Sequence, residues 1–196
     1  MGKQKYQKDI EVLFSKSPVV SYNSINRIVK NKKNTQYIKK LVHYLLLKNK
    51  IKRLAKGYYT TRDESSLAVF AFQPAYLGLQ DALSFHNLWE QETIPIIITT
   101  RNVRQGIREV LGQNILIRRL KKRYYFGLEH HQHENMALPY SDIEKTFIDM
   151  IYFRENLSEE ALFGFKKRIN KKKLIGYLRI YPKKFQNKVK SYIKLK

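Results

Sequence analysis

Asp142, Glu144, Lys145 and Asp149, in the stretch SDIEKTFIDM, are the residues of this chain that most resemble a catalytic set. Carboxylates and a lysine gathered round a divalent metal are what a restriction-type nuclease uses on a phosphodiester. Here, however, they open a helical pattern instead of ending strands. Ser141-Asp-Ile-Glu144 has the form of a capping box, with Glu144 as the third-position partner of Ser141. Acids in a first turn suit the helix dipole, and Lys145 stands one turn before Asp149, where the two can pair. The stretch is read as a helix start. No catalytic residue is assigned and the chain is expected not to be an enzyme, with a metal-dependent nuclease as an alternative.

His130, His131 and His133, in HHQH, invite a zinc reading. No cysteine is present to complete a ligand set, and transition metals need one of fixed geometry. The histidines are read as a solvated loop, and no metal or cofactor is expected. His86, near Trp89, is read as a histidine at the edge of a core. There is no glycine-rich phosphate loop, and no Gly-Ser step with paired aspartates of the kind a nucleotidyltransferase needs.

The residues that carry most weight are Thr35, Gln36, Lys39, Lys40 and His43, followed by Lys52, Arg53, Lys56 and Tyr58. The first five fall on one face of a helix predicted from residue 34 or 35 to about 49. Ile38, Leu41, Val42, Leu45 and Leu46 form the opposite, apolar stripe. Gln reads adenine and Lys reads guanine in a major groove, each bidentate pair being worth ~1–3 kcal/mol of discrimination. Next come two strand-like arms, 51–54 and 58–61, with Gly57 as the turn residue that a hairpin needs. On these arms Lys52, Arg53 and Lys56 can reach phosphates, and Tyr58 or Tyr59 can pack under the hairpin or touch the DNA backbone.

Two further helices are predicted ahead of this one. The first covers 4–15, with Tyr6, Ile10, Leu13 and Phe14 at helical spacing; Ser17-Pro18 ends it. The second covers 25–29, capped by Ser24, and the polar run 30–34 is a turn. Helix, short helix, longer helix, basic hairpin is the order of a winged helix-turn-helix. It assigns residues 1–62 to a DNA-binding domain with duplex DNA as partner.

Residues 63–196 are read as a mixed α/β domain with a short sheet and C-terminal helices, which makes the chain α+β overall. In it, 63–74 is a linker or first strand and 76–88 a helix. Strands follow at 94–100, 107–110, 115–120, 124–128 and 136–138, with 112–114 and 121–123 as turns. Helices are expected at about 143–153, 158–168, 171–181 and 184–195.

The charge is distributed unevenly. The formal net charge is +23. Residues 1–63 hold 16 Lys and Arg against 3 Asp and Glu, residues 64–155 hold 10 against 11, and residues 156–196 hold 13 against 2. A general lysine bias would spread the charge. Two basic ends round a neutral middle point to a polyanion, with nucleic acid first. The C-terminal excess includes Lys166, Lys167, Arg168, Lys171, Lys172 and Lys173, which either extend a DNA footprint, hold an acidic partner or keep a tail solvated. Tyr177, Tyr181 and Phe185 recur among these cations at helical spacing and are read as packing residues. No apolar run reaches the length of a membrane span, and MGKQKYQKDI lacks an apolar signal core. The protein is therefore expected in the cytoplasm and off the membrane.

The ordered set AYLGLQDALSFHNLW, IPIIITTR, RRLKKRYYFGLE and LPYSDIEKTFIDMI resembles the C-terminal part of AbiEi-type antitoxins. That family includes predicted transcriptional regulators of viral defence systems and has an N-terminal winged helix. The resemblance spans most of the chain and is weakest over the last forty residues. It implies an autorepressor at its own promoter, with a nucleotidyltransferase toxin as a second partner. An antitoxin acting mainly by protein binding is the alternative it raises. A homodimer formed on DNA would match repeated half-sites.

Overall fold

A computed structural model describes residues 6–29, 35–133 and 136–194. The predicted turn at 30–34, residues 4 and 5 of the first helix and residue 195 lie outside them. The chain divides into two units. One is 1–71 with 109–114, and the other is 72–108 with 115–196. The first unit thus runs past residue 62 and takes in a short later segment.

The first unit is built in the order α1 (Gln7–Lys16), β1 (Val20–Ser21), α2 (Tyr22–Val29), α3 (Thr35–Leu47), β2 (Lys52–Ala55) and β3 (Tyr58–Thr60). The three strands form an antiparallel sheet in the order β1-β3-β2. Each helix buries one stripe: Ile10 and Phe14 from α1, Ile25 and Val29 from α2, and Ile38, Leu41, Val42 and Leu45 from α3. Burying such side chains contributes roughly 1.5–3 kcal/mol each. The second helix starts earlier than residue 25. Ser21 Oγ, not Ser24, accepts from the main chain at its start, taking the N–H of Ser24 at 3.0 Å. Gly57 turns the β2–β3 hairpin at φ +81, a conformation that costs only glycine nothing. A 3-10 helix, Ser65–Phe72, stands where a linker or strand was expected.

The second unit carries a six-stranded sheet in the order β6-β7-β5-β4-β9-β8. Its strands are β4 (Ala75–Leu77), β5 (Ile96–Thr99), β6 (Gly106–Val110), β7 (Gln113–Arg119), β8 (Leu128–His133) and β9 (Met136–Ser141), and residues 109–114, the tip of β6–β7, group with the first unit. The sheet is mixed: β4 is antiparallel to β5 and parallel to β9, β5 is parallel to β7, and β8 is antiparallel to β9. All of β5 is buried, as its unbroken apolar run requires of a strand covered on both faces. The β6–β7 turn is Leu111-Gly112, one residue before the expected position, and both residues have positive φ, as in a type I′ hairpin.

Three further expectations give way. Residues 76–88 are not one helix: Ala75–Leu77 is strand β4, and only α4 (Gln80–Phe85) is helical. Strands β5 and β9 flank β4 and outweigh the helical spacing of its apolar residues. Residues 124–128 are not a strand. A 3-10 turn covers Lys122–Tyr124, and β8 begins at Leu128. HHQH is therefore not in a loop but on β8, an edge strand of the sheet.

Helices α5 (Ile143–Phe153), α6 (Glu159–Arg168), α7 (Lys171–Leu178) and α8 (Lys183–Tyr192) complete the unit. Buried residues cover α5 from Glu144 to Ile151, so it is enclosed on every side. Trp89 packs against the same core. Tyr181 stacks on Tyr124 at 4.1 Å and on Phe185 at 4.9 Å, and the edge of Tyr177 meets Phe126. The aromatics among the C-terminal cations are thus packing residues. Gly127, at φ +67, leaves no room for a side chain: a Cβ there would come within 2.9 Å of both Lys145 Cβ and Tyr177.

On α4, Asp81 Oδ2 accepts the N–H of Ile96 at 3.1 Å, tying the helix to the start of β5. Burial raises its pKa to about 7 against the hydrogen bonds from Ile96 and Tyr140. The folded state therefore binds this proton more tightly than the unfolded state. The contribution is full below the unfolded pKa near 4 and is lost as pH rises towards 7. Asp81→Asn, which carries no charge, is expected to match the parent in melting temperature at pH 4 and to exceed it by ~5 °C at pH 8. A difference that does not grow with pH contradicts the assignment.

Candidate nucleic-acid interface

Helix α3 separates its residues by chemistry. Gln36, Lys39, Lys40 and His43 are exposed, while Ile38, Leu41, Val42 and Leu45 are buried. These four side chains follow one another at helical spacing, so the exposed face offers two cations, an amide and an imidazole in one row. Thr35 is the first residue of the helix, and its side chain lies outside the described residues.

The hairpin after α3 is present, and its cations differ in availability. Arg53 and Lys56 are exposed. Lys52 is half-buried, and its ammonium pairs with the exposed Asp63. Tyr58 is half-buried at the start of β3. Tyr59, 5 % exposed, packs into the helical core, and burial raises its pKa. Tyr59 is thus the tyrosine that packs beneath the hairpin. The unit has further exposed cations outside the sequence-predicted set: Lys8 and Lys16 on α1, Arg27 on α2, and Lys48 and Lys50 between α3 and β2. Isolated single charges gave no periodic signal there.

The second basic cluster splits in two. Lys166, Lys167 and Arg168 end α6, and Lys171, Lys172 and Lys173 open α7. Arg168 donates to the main-chain oxygen of His86, and Lys167 lies over the ring of Phe163 at 4.2 Å. Lys173 reaches Glu144 at 2.8 Å and Asp142 at 3.1 Å. Burial alone would lower its pKa, but hydrogen bonds to Glu144 and Asp142 hold it above the ordinary lysine value. Three lysines in a first turn oppose the helix dipole. Those two carboxylates offset the opposition, as does the Asn170 cap, whose side chain accepts from Lys173 N at 3.1 Å. Lys166, Lys171 and Lys172 remain as exposed cations.

The catalytic-looking residues are bonded to the fold itself. Asp142, not Ser141, caps α5, with Oδ1 accepting from Lys145 N at 2.8 Å. Its other oxygen accepts from the Tyr177 hydroxyl at 2.8 Å. Ser141 Oγ instead meets Thr146 Oγ1 at 2.7 Å. Glu144 does not reach back to Ser141 as in a capping box; it accepts the N–H of Asn170 at 2.7 Å. Lys145 and Asp149 do form the expected pair, with both side chains wholly buried. Tyr76 joins them, its hydroxyl donating to Asp149 at 2.5 Å and accepting from Lys145 at 3.0 Å. Burial pulls the pKa of Lys145 down and pushes those of Asp149 and Tyr76 up; in the Lys–Asp pair the mutual attraction opposes it.

His86 is buried, with Nε2 2.8 Å from the main-chain oxygen of Ser141. His131 stacks edge-on against Phe85 at 4.6 Å. Among the described residues, no group of three or more His, Asp or Glu is placed to hold a metal ion, and no helix is long and apolar enough to cross a membrane. No family model matches the chain, and no curated protein matches it.

Proposed function

We propose that this protein is a sequence-specific transcriptional regulator that binds duplex DNA through a winged helix-turn-helix formed by α1–α3 and the β2–β3 hairpin. The observation that carries the reading is the row Gln36, Lys39, Lys40 and His43, exposed on a helix whose other face holds the core. A solvated face would be equally polar, but it would have no reason to be followed by a hairpin bearing Arg53 and Lys56. Lys and Arg displace counterions and fix the register, while a few α3 side chains read base edges. Occupying a promoter excludes polymerase, so repression is the outcome, and the cytoplasm is where it would act. The resemblance to AbiEi-type antitoxins extends this proposal to autorepression, with a nucleotidyltransferase toxin as second partner.

The test is footprinting and a salt titration on the DNA upstream of the protein's own gene. Contacts to about six to ten phosphates would weaken binding ~10³–10⁵-fold between 50 and 200 mM salt. Arg53→Ala with Lys56→Ala is expected to lower the slope of log affinity against log salt by ~2. An unchanged slope removes the hairpin from the interface, and no protected site removes the reading.

A further inference from the structure

Residues 101–123 hold eight of the ten Lys and Arg in the near-neutral middle of the chain, with Glu109 as their one acid. Part of this stretch surrounds a cavity of about 660 Å³ lined by Pro74, Thr100, Arg101, Asn102, Lys122 and Tyr125. Pockets for small molecules run to roughly 300–1,000 Å³. The parallel strands β5 and β7 pair up to Thr99 and Arg119, so the chain leaves both strands towards this cavity.

The rim is held in place before any ligand arrives. Thr99 Oγ1 donates to the oxygen of Phe72 at 2.7 Å and accepts the N–H of Arg101 at 3.1 Å, and Thr100 N donates to the oxygen of Pro74 at 3.1 Å. Arg119 Nη1 donates to Asn102 Oδ1 at 2.5 Å, so the amide nitrogen of Asn102 is oriented by a fixed partner. Tyr125 packs on Tyr76, ring centroids 5.9 Å apart, and through it on the buried Lys145–Asp149 pair. The six lining residues supply two cations, an amide, two hydroxyls and an aromatic ring, and none of the six carries a carboxylate. Cationic and amide donors on one rim suit phosphate oxygens, and a tyrosine beside them suits a planar base.

We propose that this cavity binds a mononucleotide, its phosphates on Arg101 and Lys122 and its base against Tyr125. This goes beyond DNA binding by the first unit and uses different residues.

The test is calorimetric titration of the full chain with ATP, AMP, adenosine and a twelve-residue oligo(dT). ATP is expected to bind ~10-fold or more tightly than adenosine. Lys122→Glu, an exposed position, is expected to weaken ATP ~10-fold or more, and Asn102→Asp, which sets a carboxylate on the rim, to do the same. Tyr125→Leu is expected to weaken AMP and ATP alike. Lys166→Glu with Lys167→Glu, in the separate lysine cluster, should leave ATP binding unchanged. The proposal is overturned if ATP binds no better than adenosine. It also fails if the α6 variant, and not Lys122→Glu or Asn102→Asp, loses ATP. Pocket-dependent binding of oligo(dT) without ATP would replace it with a single-strand site.

Discussion

Lys145→Met is expected to cost the second unit ~3–5 kcal/mol, the scale for removing one partner of a buried ion pair. Asp149 would keep only the Tyr76 hydroxyl, in a site with no exposed surface. Lys145→Met with Asp149→Leu should recover most of the loss, because paired replacement by apolar groups leaves no orphaned charge. The measurement is guanidinium denaturation of the parent, both single variants and the double variant, followed by far-UV circular dichroism as a double-mutant cycle. The single-variant cost should shrink at acid pH, where a proton on Asp149 removes the uncompensated charge. A loss below ~1 kcal/mol at neutral pH would show that the pair contributes no ionic interaction to the fold.

Lys39→Ala with Lys40→Ala is the second large effect. Both side chains are exposed, so the melting temperature should stay within about a degree of the parent, surface changes usually being small. Binding to the operator should weaken ~10-fold or more. If both lysines contact phosphates, the salt slope falls by ~2 across all sequences. If one reads guanine, the loss is ~1–3 kcal/mol and is concentrated at one base pair. Mobility shifts on operator and scrambled duplex at several salt concentrations distinguish the two. Unchanged binding at every salt concentration would remove α3 from the interface.

The first unit was largely legible because its signals are local and periodic. The α3 stripe from Ile38 to Leu45 repeats over about two turns, and Gly57 marks the hairpin. Strand β5 was legible for a related reason, since an unbroken run of isoleucines leaves few alternatives. Strand β4 was not. It is three residues long and is defined by its neighbours β5 and β9, which lie far along the chain. HHQH reads as a loop in sequence because a polar edge strand shows no alternation. Its pairing is local, to the next strand β9, with His130 opposite Pro139 and His131 opposite Leu138, but its run of polar residues carries no apolar alternation to signal it.

The helix-start signal at 141–144 was correct in place and wrong in detail. Ser141 and Asp142 are both good caps, and tertiary partners decided between them: Thr146 for Ser141, and Tyr177 and Lys173 for Asp142. The cations of 101–123 were hidden by averaging. Summed with the acids of 64–155 they vanish into neutrality, although they form a strongly basic stretch of their own.

The chain has one tryptophan, and it packs on the core of the second unit. Emission excited at 295 nm therefore follows the packing around Trp89 in that unit. Adding duplex to the intact protein then becomes a test of communication. A steady Trp89 signal would mean that DNA binding by the first unit, as proposed, leaves the second unit's packing unchanged, and a shifted one that occupancy is transmitted along the chain.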